Sequence, residues 1–146
     1  QLLSRCISHL EDEKALCDLS ISAEEFRILN TMNLISLKPV VVWDNSLDTE
    51  LICKAVLDKA DRMFFYTVGK KEVRAWLVRR HATAIECAEK IHSDLARGFI
   101  KAENLHADKL FETHNMQSAR KEGLTQLVDR HFVIPEETVL EIRFNV

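Results

Sequence analysis

Five basic side chains crowd eleven positions, Lys70, Lys71, Arg74, Arg79 and Arg80, with Glu72 as the single acid among them. Trp76 stands in their midst. Cationic side chains flanking an aromatic ring suit a sugar–phosphate backbone with a base stacked on the ring. If Val73, Ala75 and Leu77 face a core, strand alternation puts Arg74, Trp76 and Arg80 together on the outer face. The alternative is a solvated hairpin whose Trp76 packs against a neighbouring element. Lys70, Lys71, Arg74, Trp76 and Arg80 are thus the expected contact surface for RNA or a partner protein.

Other chemistries find less support. Nucleotide hydrolysis needs backbone N–H groups converging on phosphate, as in a Gly-x-x-x-x-Gly-Lys-[Ser/Thr] loop between strand and helix. Gly69, Gly98 and Gly123 are the three glycines, and none sits in such a pattern. This chain alone is therefore not expected to hydrolyse ATP or GTP, and no catalytic residue or cofactor is assigned within it. His92 and Asp94, two positions apart, do not share a helix face and make no compact metal pair. His92 is expected in a helix–sheet interface or on a loop carbonyl. His81, His106, His114 and His131 lack ligand-like spacing, so no metal is expected. Cys6, Cys17, Cys53 and Cys87 stand far apart with no Cys-x-x-Cys pair. They read as reduced cytoplasmic thiols rather than a disulfide frame or zinc site. Cys87, beside Ala88 on a helix, is expected to be a small core residue.

The basic stretch needs a scaffold, and the flanking pattern supplies one. The stretch Arg62–Arg80 reads as strand, tight turn at Gly69-Lys70, and strand. Thr83 and Glu86 form a capping box opening a helix, with Ala84, Ile85, Ala88, Ile91 and Leu95 on one face. Arg97 suits the negative end of the helix dipole, and Gly98 supplies the stop. Phe99–Asn104 reads as a third strand, and Asp108–Phe111 as a turn or short helix. Gln117–Leu127 reads as another helix, and Phe132–Ile134 and Thr138–Phe144 as the last strands. A hairpin followed by a crossing helix and more strands is the opening of an α+β, β-grasp domain.

Upstream, residues 1–17 look helical, with Leu2, Leu3, Cys6, Leu10 and, at the far end, Leu16 as an apolar stripe. A second capping box, Ser22 with Glu25, opens the next helix, and Ile21 can staple to Phe26. Leu37–Trp43 is a short β-branched run expected to be a strand covered on both faces, with Pro39 near its start. A helix follows over roughly 48–59. If the Val40–Trp43 strand were left bare, it would pair with the other sheet or with a second chain, making a homodimer an option. The opening without Met, already inside a helical pattern, fits a chain with further sequence upstream.

The bulk numbers are ordinary. The 146 residues are 47% apolar and 29% charged, with a net charge of −3. Residues 1–60 hold 6 Lys/Arg against 10 Asp/Glu, while residues 61–146 hold 14 against 13. That asymmetry is too mild to argue polyanion binding from bulk charge. No apolar run approaches membrane-spanning length.

Several motifs in order carry a family resemblance. Gly69-Lys-Lys-Glu-Val-Arg-Ala-Trp76, Ile91-His-Ser-Asp94, Arg97-Gly-Phe-Ile-Lys-Ala-Glu103 and Arg143-Phe-Asn-Val146 resemble the TGS domain that closes the YchF (Obg-like ATPase) family. TGS domains are ubiquitin-like β-grasp modules, so the resemblance implies that fold for residues 61–146. It also implies contacts with RNA, the ribosome or a regulatory partner. Residues 1–60 resemble the family more loosely, as a helical and strand remnant of a GTPase-like nucleotide-binding domain. There Leu37-Lys38-Pro39-Val40 leads to Asn45-Ser46-Leu47-Asp48, similar to the family's Asn-x-x-Glu base-recognition motif, with Asp in place of Glu. Asn45 and Asp48 are candidate base contacts on that resemblance. Read from the residues, Asn-x-x-Asp is equally an N-cap pattern. Only about a dozen residues separate Asp48 from Arg62, so the family's intervening helices are mostly missing. The family also usually has Asp-Gly-Asp where this chain has Glu136-Glu137-Thr138, which implies a different turn, set by Pro135. Two functions follow from the resemblance: a non-catalytic regulatory or adaptor module, or the C-terminal part of a larger ATPase with its phosphate loop upstream. Only the second would bring ATP or GTP with Mg.

Overall fold

The computed structural model describes residues 1–42, 48–69 and 72–145. The chain divides into two units, Gln1–Ala60 and Asp61–Val146.

The first unit is helical. α1 spans Leu2–Glu11, α2 spans Ala23–Asn30 and α3 spans Thr49–Lys59, with short 3-10 turns at Leu16–Asp18 and Ile35–Leu37. Its small core is Cys6, Leu16, Leu29 and Leu37, with Leu2, Leu19, Ile21 and Leu34 packed around them. Ser22 begins α2 as its sequence suggests. Its hydroxyl accepts from the Glu25 N–H at 3.2 Å, and its own N–H donates to the Glu25 carboxylate at 2.8 Å. Arg5 ties α1 to this cap through Glu25 at 2.9 Å and through the Ser20 carbonyl. Lys59 at the end of α3 pairs with Asp18. α3 itself buries no residue.

Of the strand expected at Leu37–Trp43, none forms over the described residues 37–42. Leu37 ends a 3-10 turn, and residues 38–42 form neither strand nor helix, with Val40 and Val42 exposed. Trp43 lies outside the described residues. All the described strands come from residues 62–144, so a β-branched run after Pro39 has no sheet within its own unit to join. The dimer through Val40–Trp43 loses its strand basis.

The second unit is α+β. Its strands are β1 (Arg62–Val68), β2 (Val73–Arg79), β3 (Phe99–His106), β4 (Gln126–Val128) and β5 (Thr138–Phe144). They form a five-stranded mixed sheet in the order β2-β1-β5-β3-β4. β1 and β5 run parallel at its centre, and the other pairs are antiparallel. Phe132–Ile134 contributes only a bridge, Thr83 to Val133.

The helix after the hairpin is two helices. α4 spans Ala84–Ile91 and α5 spans Ser93–Arg97, separated by an extended His92. At the start of α4 the Glu86 carboxylate accepts from the N–H and the hydroxyl of Thr83, each at 2.7 Å. Ala84, Cys87 and Ala88 are fully buried against Met63, Phe65, Val78, Ala102 and Leu140, forming the main core. Burial pushes the Cys87 thiol up to about 12, as expected of an inert core cysteine. A smaller core lies on the opposite sheet face, where α6 (Ala107–Thr113) and α7 (Met116–Lys121) pack Met116 and Ala119 against Leu105 and Val139.

Two corners are set by backbone constraints. Gly98 ends α5 with φ −91°, a conformation open to any residue. Its need for glycine is steric, because a Cβ there would meet the Asn145 carbonyl oxygen at 2.2 Å. Glu137, in the turn before β5, adopts φ 53°, taking left-handed backbone that glycine occupies more easily.

Candidate functional site

The β1–β2 hairpin holds most of the residues singled out for contact, but the structure distributes them differently. Phe65 lies opposite Trp76 and Met63 opposite Val78 in the strand register, so these four share one face. Phe65, Met63 and Val78 are buried beneath α4, and Trp76 packs beside them. The Trp76 indole N–H donates to the Thr67 hydroxyl at 3.0 Å. Val73, Ala75 and Leu77 are therefore the outward residues, the reverse of the facing expected from sequence. The physical reason is register. Val78, after the apolar triad, is the position that α4 covers, and a period of two carries Trp76 inward with it.

Arg74 shares the inner face but sits at the open end of the hairpin, exposed, with Glu72 at 3.1 Å. It borders a cleft of about 270 Å³ with Thr67, Leu95, Ile142 and Phe144, where β1 and β5 part after the Tyr66–Val139 pair. Arg80 follows β2, where its backbone N–H donates to the Asp61 carbonyl and its guanidinium meets Glu136 at 3.0 Å. Lys70 and Lys71 lie outside the described residues, within the connection that the Gly69 N–H to Glu72 carbonyl bond closes at 2.8 Å. The structure thus does not gather Arg74, Trp76 and Arg80 on one outer face.

Residues outside the expected contact surface do meet on that outer face. Arg62 lies opposite Arg79, and Phe64 opposite Leu77. Phe64 and Leu77 are 36% and 40% exposed. Arg62 and Arg79 are visible in the sequence as charges bounding the two apolar runs, but only the pairing register brings the two arginines together. Arg79 also lies close enough to Glu86 to help hold that carboxyl below its ordinary value, behind the larger effect of the Thr83 hydrogen bonds.

The histidines act locally. His92 is exposed, and its Nδ1 accepts from the Asp94 N–H at 3.1 Å, capping α5. Neither the helix–sheet interface nor a carbonyl holds it. An extended residue two before Asp94 is in position to satisfy an orphan N–H. His106 caps α6 in the same manner through Asp108. Among the described residues no three His, Cys, Asp or Glu side chains converge as a metal site.

The nucleotide motif is only partly described. Asn45 lies outside the described residues. Asp48 is exposed at the N-cap position of α3, and its side chain makes no capping bond. The glycines do not fit a phosphate group. Gly69 is in a hairpin, Gly98 leads from a helix into a strand, and Gly123 follows α7 with φ 71°. None opens a helix after a strand, so these residues do not fit a nucleoside triphosphate with Mg, and no chemical step is derived through one.

Another charged cluster lies on the sheet. Glu103, almost fully buried on β3, is gripped by Arg120 of α7 and Arg143 of β5. Arg120 also meets Glu141 at 2.6 Å. Two carboxylates and two guanidiniums balance, and the network fastens α7 to the sheet.

Comparison with known proteins agrees with this architecture. The family YchF-GTPase_C, described as a protein of unknown function (DUF933), matches residues 63–145. The chain is 44% identical over 82 residues to the "Ribosome-binding ATPase YchF" of Mycoplasma genitalium, covering 56% of this chain and 22% of that protein. It is 39% identical over 82 residues to the protein of the same name from Bacillus subtilis, with the same two coverages. Against the Buchnera aphidicola protein of that name it is 24% identical over 200 residues, covering 99% of this chain and 55% of the relative. Those 200 residues exceed the 146 of this chain by 54, so a large segment of the relative has no counterpart here. The chain spans between about a fifth and about half of these relatives' lengths. The solved structure of the Schizosaccharomyces pombe YchF GTPase superposes with a TM-score of 0.77 at 16% identity, covering 97% of this chain and 53% of that one. That likeness establishes a shared fold. With residues 63–145 carrying the family's pattern, the chain belongs to the YchF-GTPase_C family.

Proposed function

We propose that residues 61–146 form a TGS-type β-grasp module that works as a non-catalytic, ribosome-binding adaptor. The observation that carries this reading is the family match over residues 63–145, whose relatives are named ribosome-binding ATPases. The sheet order β2-β1-β5-β3-β4, with its parallel central pair and a helix laid across the hairpin, supports the β-grasp identity. The contact surface is the hairpin tip, Lys70, Lys71 and Arg74. Trp76 is occupied in the core and Arg80, at the base of the hairpin, in its pair with Glu136, so neither is assigned to the contact surface. Phosphate contacts by such cations make binding salt-dependent. A role at the ribosome makes the protein cytoplasmic.

Cosedimentation with ribosomes tests this. Wild-type protein is expected in the ribosome pellet, and K70E/K71E/R74E in the supernatant. Equal pelleting of both would remove the tip from the contact surface.

A second reading makes this chain the C-terminal part of a longer ATPase, with ATP or GTP and Mg bound by an upstream domain. The partial coverage of the relatives favours it. So do the many apolar side chains that residues 1–60 leave exposed, including Leu3, Ile7, Phe26, Ile28, Ile35 and Leu51. The intact mass of the protein taken from cells separates the readings. A mass well above 16.9 kDa supports the longer ATPase.

A further inference from the structure

We propose that the outer face of the β1–β2 hairpin, at Arg62, Phe64, Leu77 and Arg79, binds the phosphate backbone of single-stranded RNA. The proposal rests on the ribosome-contact reading and adds a site to it, distinct from the hairpin tip.

Arg62 and Arg79 stand directly opposite each other in the antiparallel ladder and project to the same side. Like charges so placed repel and destabilise the pair. Among the described residues neither guanidinium closes a hydrogen bond or ion pair, and Arg79 feels the Glu86 carboxylate only at longer range. The next pair on the same face, Phe64 and Leu77, is apolar and partly open to solvent. The four side chains make a small square with two planar cations along one edge and an aromatic ring beside them.

β2 is an edge strand, so the square opens sideways. Arg62, Leu77 and Arg79 form one wall of an open cleft of about 420 Å³, and α4 forms the other with Glu86, Glu89 and Lys90. Glu86 keeps its charge while it is bound by Thr83. Three cations, Arg62, Arg79 and Lys90, thus face two carboxylates, Glu86 and Glu89, and an anion relieves the part of the arginine repulsion that these do not offset.

Guanidinium forks fit phosphate oxygens in bidentate fashion. A ring beside the phosphate path gives an unstacked base its platform. Backbone and base together favour RNA over an acidic peptide, which would use the cations and leave Phe64 idle.

Fluorescence anisotropy of the full chain with fluorescein-labelled oligouridine of about 12 nucleotides tests the site. R62Q/R79Q is expected to weaken binding about tenfold at moderate salt and to make the log–log salt slope shallower by about 1.4, the value for two lost phosphate contacts. Its thermal midpoint is expected to equal or exceed that of wild type, because the repulsion is gone. Unchanged affinity and slope overturn the proposal. So does an equal loss in K54Q/K121Q, which removes the same net charge elsewhere, or displacement of the RNA by oligoglutamate at matched charge. Ribosome cosedimentation of the same proteins keeps the two claims apart. A wild type that stays out of the pellet yet binds oligouridine through the arginines overturns the ribosome reading alone. A double variant that pellets and binds oligouridine as wild type does overturns this site alone.

Discussion

The Trp76 indole donates its N–H to the Thr67 hydroxyl at 3.0 Å, diagonally across the hairpin and beneath the helical layer. Trp76→Ala is therefore expected to cost about 3 kcal/mol of stability, in the range for aromatic truncation at a core. Thr67→Val, which strands the indole N–H, should cost about 1 kcal/mol. Urea denaturation measures both. A Trp76→Ala protein with an unchanged midpoint and lost RNA binding would return the ring to the contact surface.

Gly98 admits the C-terminal end of β5, and its carbonyl accepts from the Asn145 N–H at 2.9 Å. Gly98→Ala places a methyl 2.2 Å from the Asn145 carbonyl oxygen, which is backbone and cannot rotate away. The expected loss is about 2 kcal/mol, within the range for overpacking. The thermal midpoint should fall, and amide exchange near Asn145 should quicken. An unshifted midpoint would show that the strand end yields freely.

Glu137 illustrates the opposite case. Its φ of 53° is strained for a residue with a Cβ. Glu137→Gly relieves that strain, less the extra entropy glycine gives the unfolded chain, for a net gain of about 0.5 kcal/mol. Glu137→Ala keeps the strain and should show no gain. Comparing the two by denaturation isolates the backbone contribution from loss of the carboxylate.

Acidification should weaken the start of α4. Hydrogen bonds from Thr83 hold the Glu86 carboxyl below its ordinary value of 4.5. A depressed folded-state value means that the stabilisation is complete above the unfolded value and is lost as pH falls through the folded one. Thermal midpoints should therefore decline below about pH 4.5, less steeply in Glu86→Gln than in wild type. Parallel declines in both proteins would assign the acid sensitivity to other carboxylates.

Much of the second unit was legible because local chemistry and long-range packing agree there. The Thr83–Glu86 cap, the apolar stripe through Ala88 and the presence of the β1–β2 hairpin all follow from spacing. What spacing could not settle was facing. An apolar triad at Val73, Ala75 and Leu77 looks like a core edge, and only the position of α4 over Val78 reverses it. His92 shows a second limit, since an apolar stripe continuing from Ile91 to Leu95 conceals a break made by one extended residue. At Lys38–Val42 the difference is tertiary, because β propensity without a neighbouring strand leaves a chain unpaired. The face proposed for contact was only partly legible. Charge clustering pointed to the hairpin, but the Arg62–Arg79 pairing needs a register between residues seventeen apart, which no local pattern encodes.

β1 meets β5 through two residue pairs, Phe65–Thr138 and Tyr66–Val139, while β1 and β2 share seven. The narrowest join in the sheet is also the most distant in sequence. Closing a loop of that length costs chain entropy before any contact rewards it, and parallel pairing is slightly weaker per residue. The hairpin can therefore assemble early as a local unit, while the seam between it and β5 zips last and opens first. Breathing of the native sheet should concentrate along that seam, so hydrogen exchange at the amides of Phe65, Tyr66, Thr138 and Val139 reports how often the hairpin detaches as one piece.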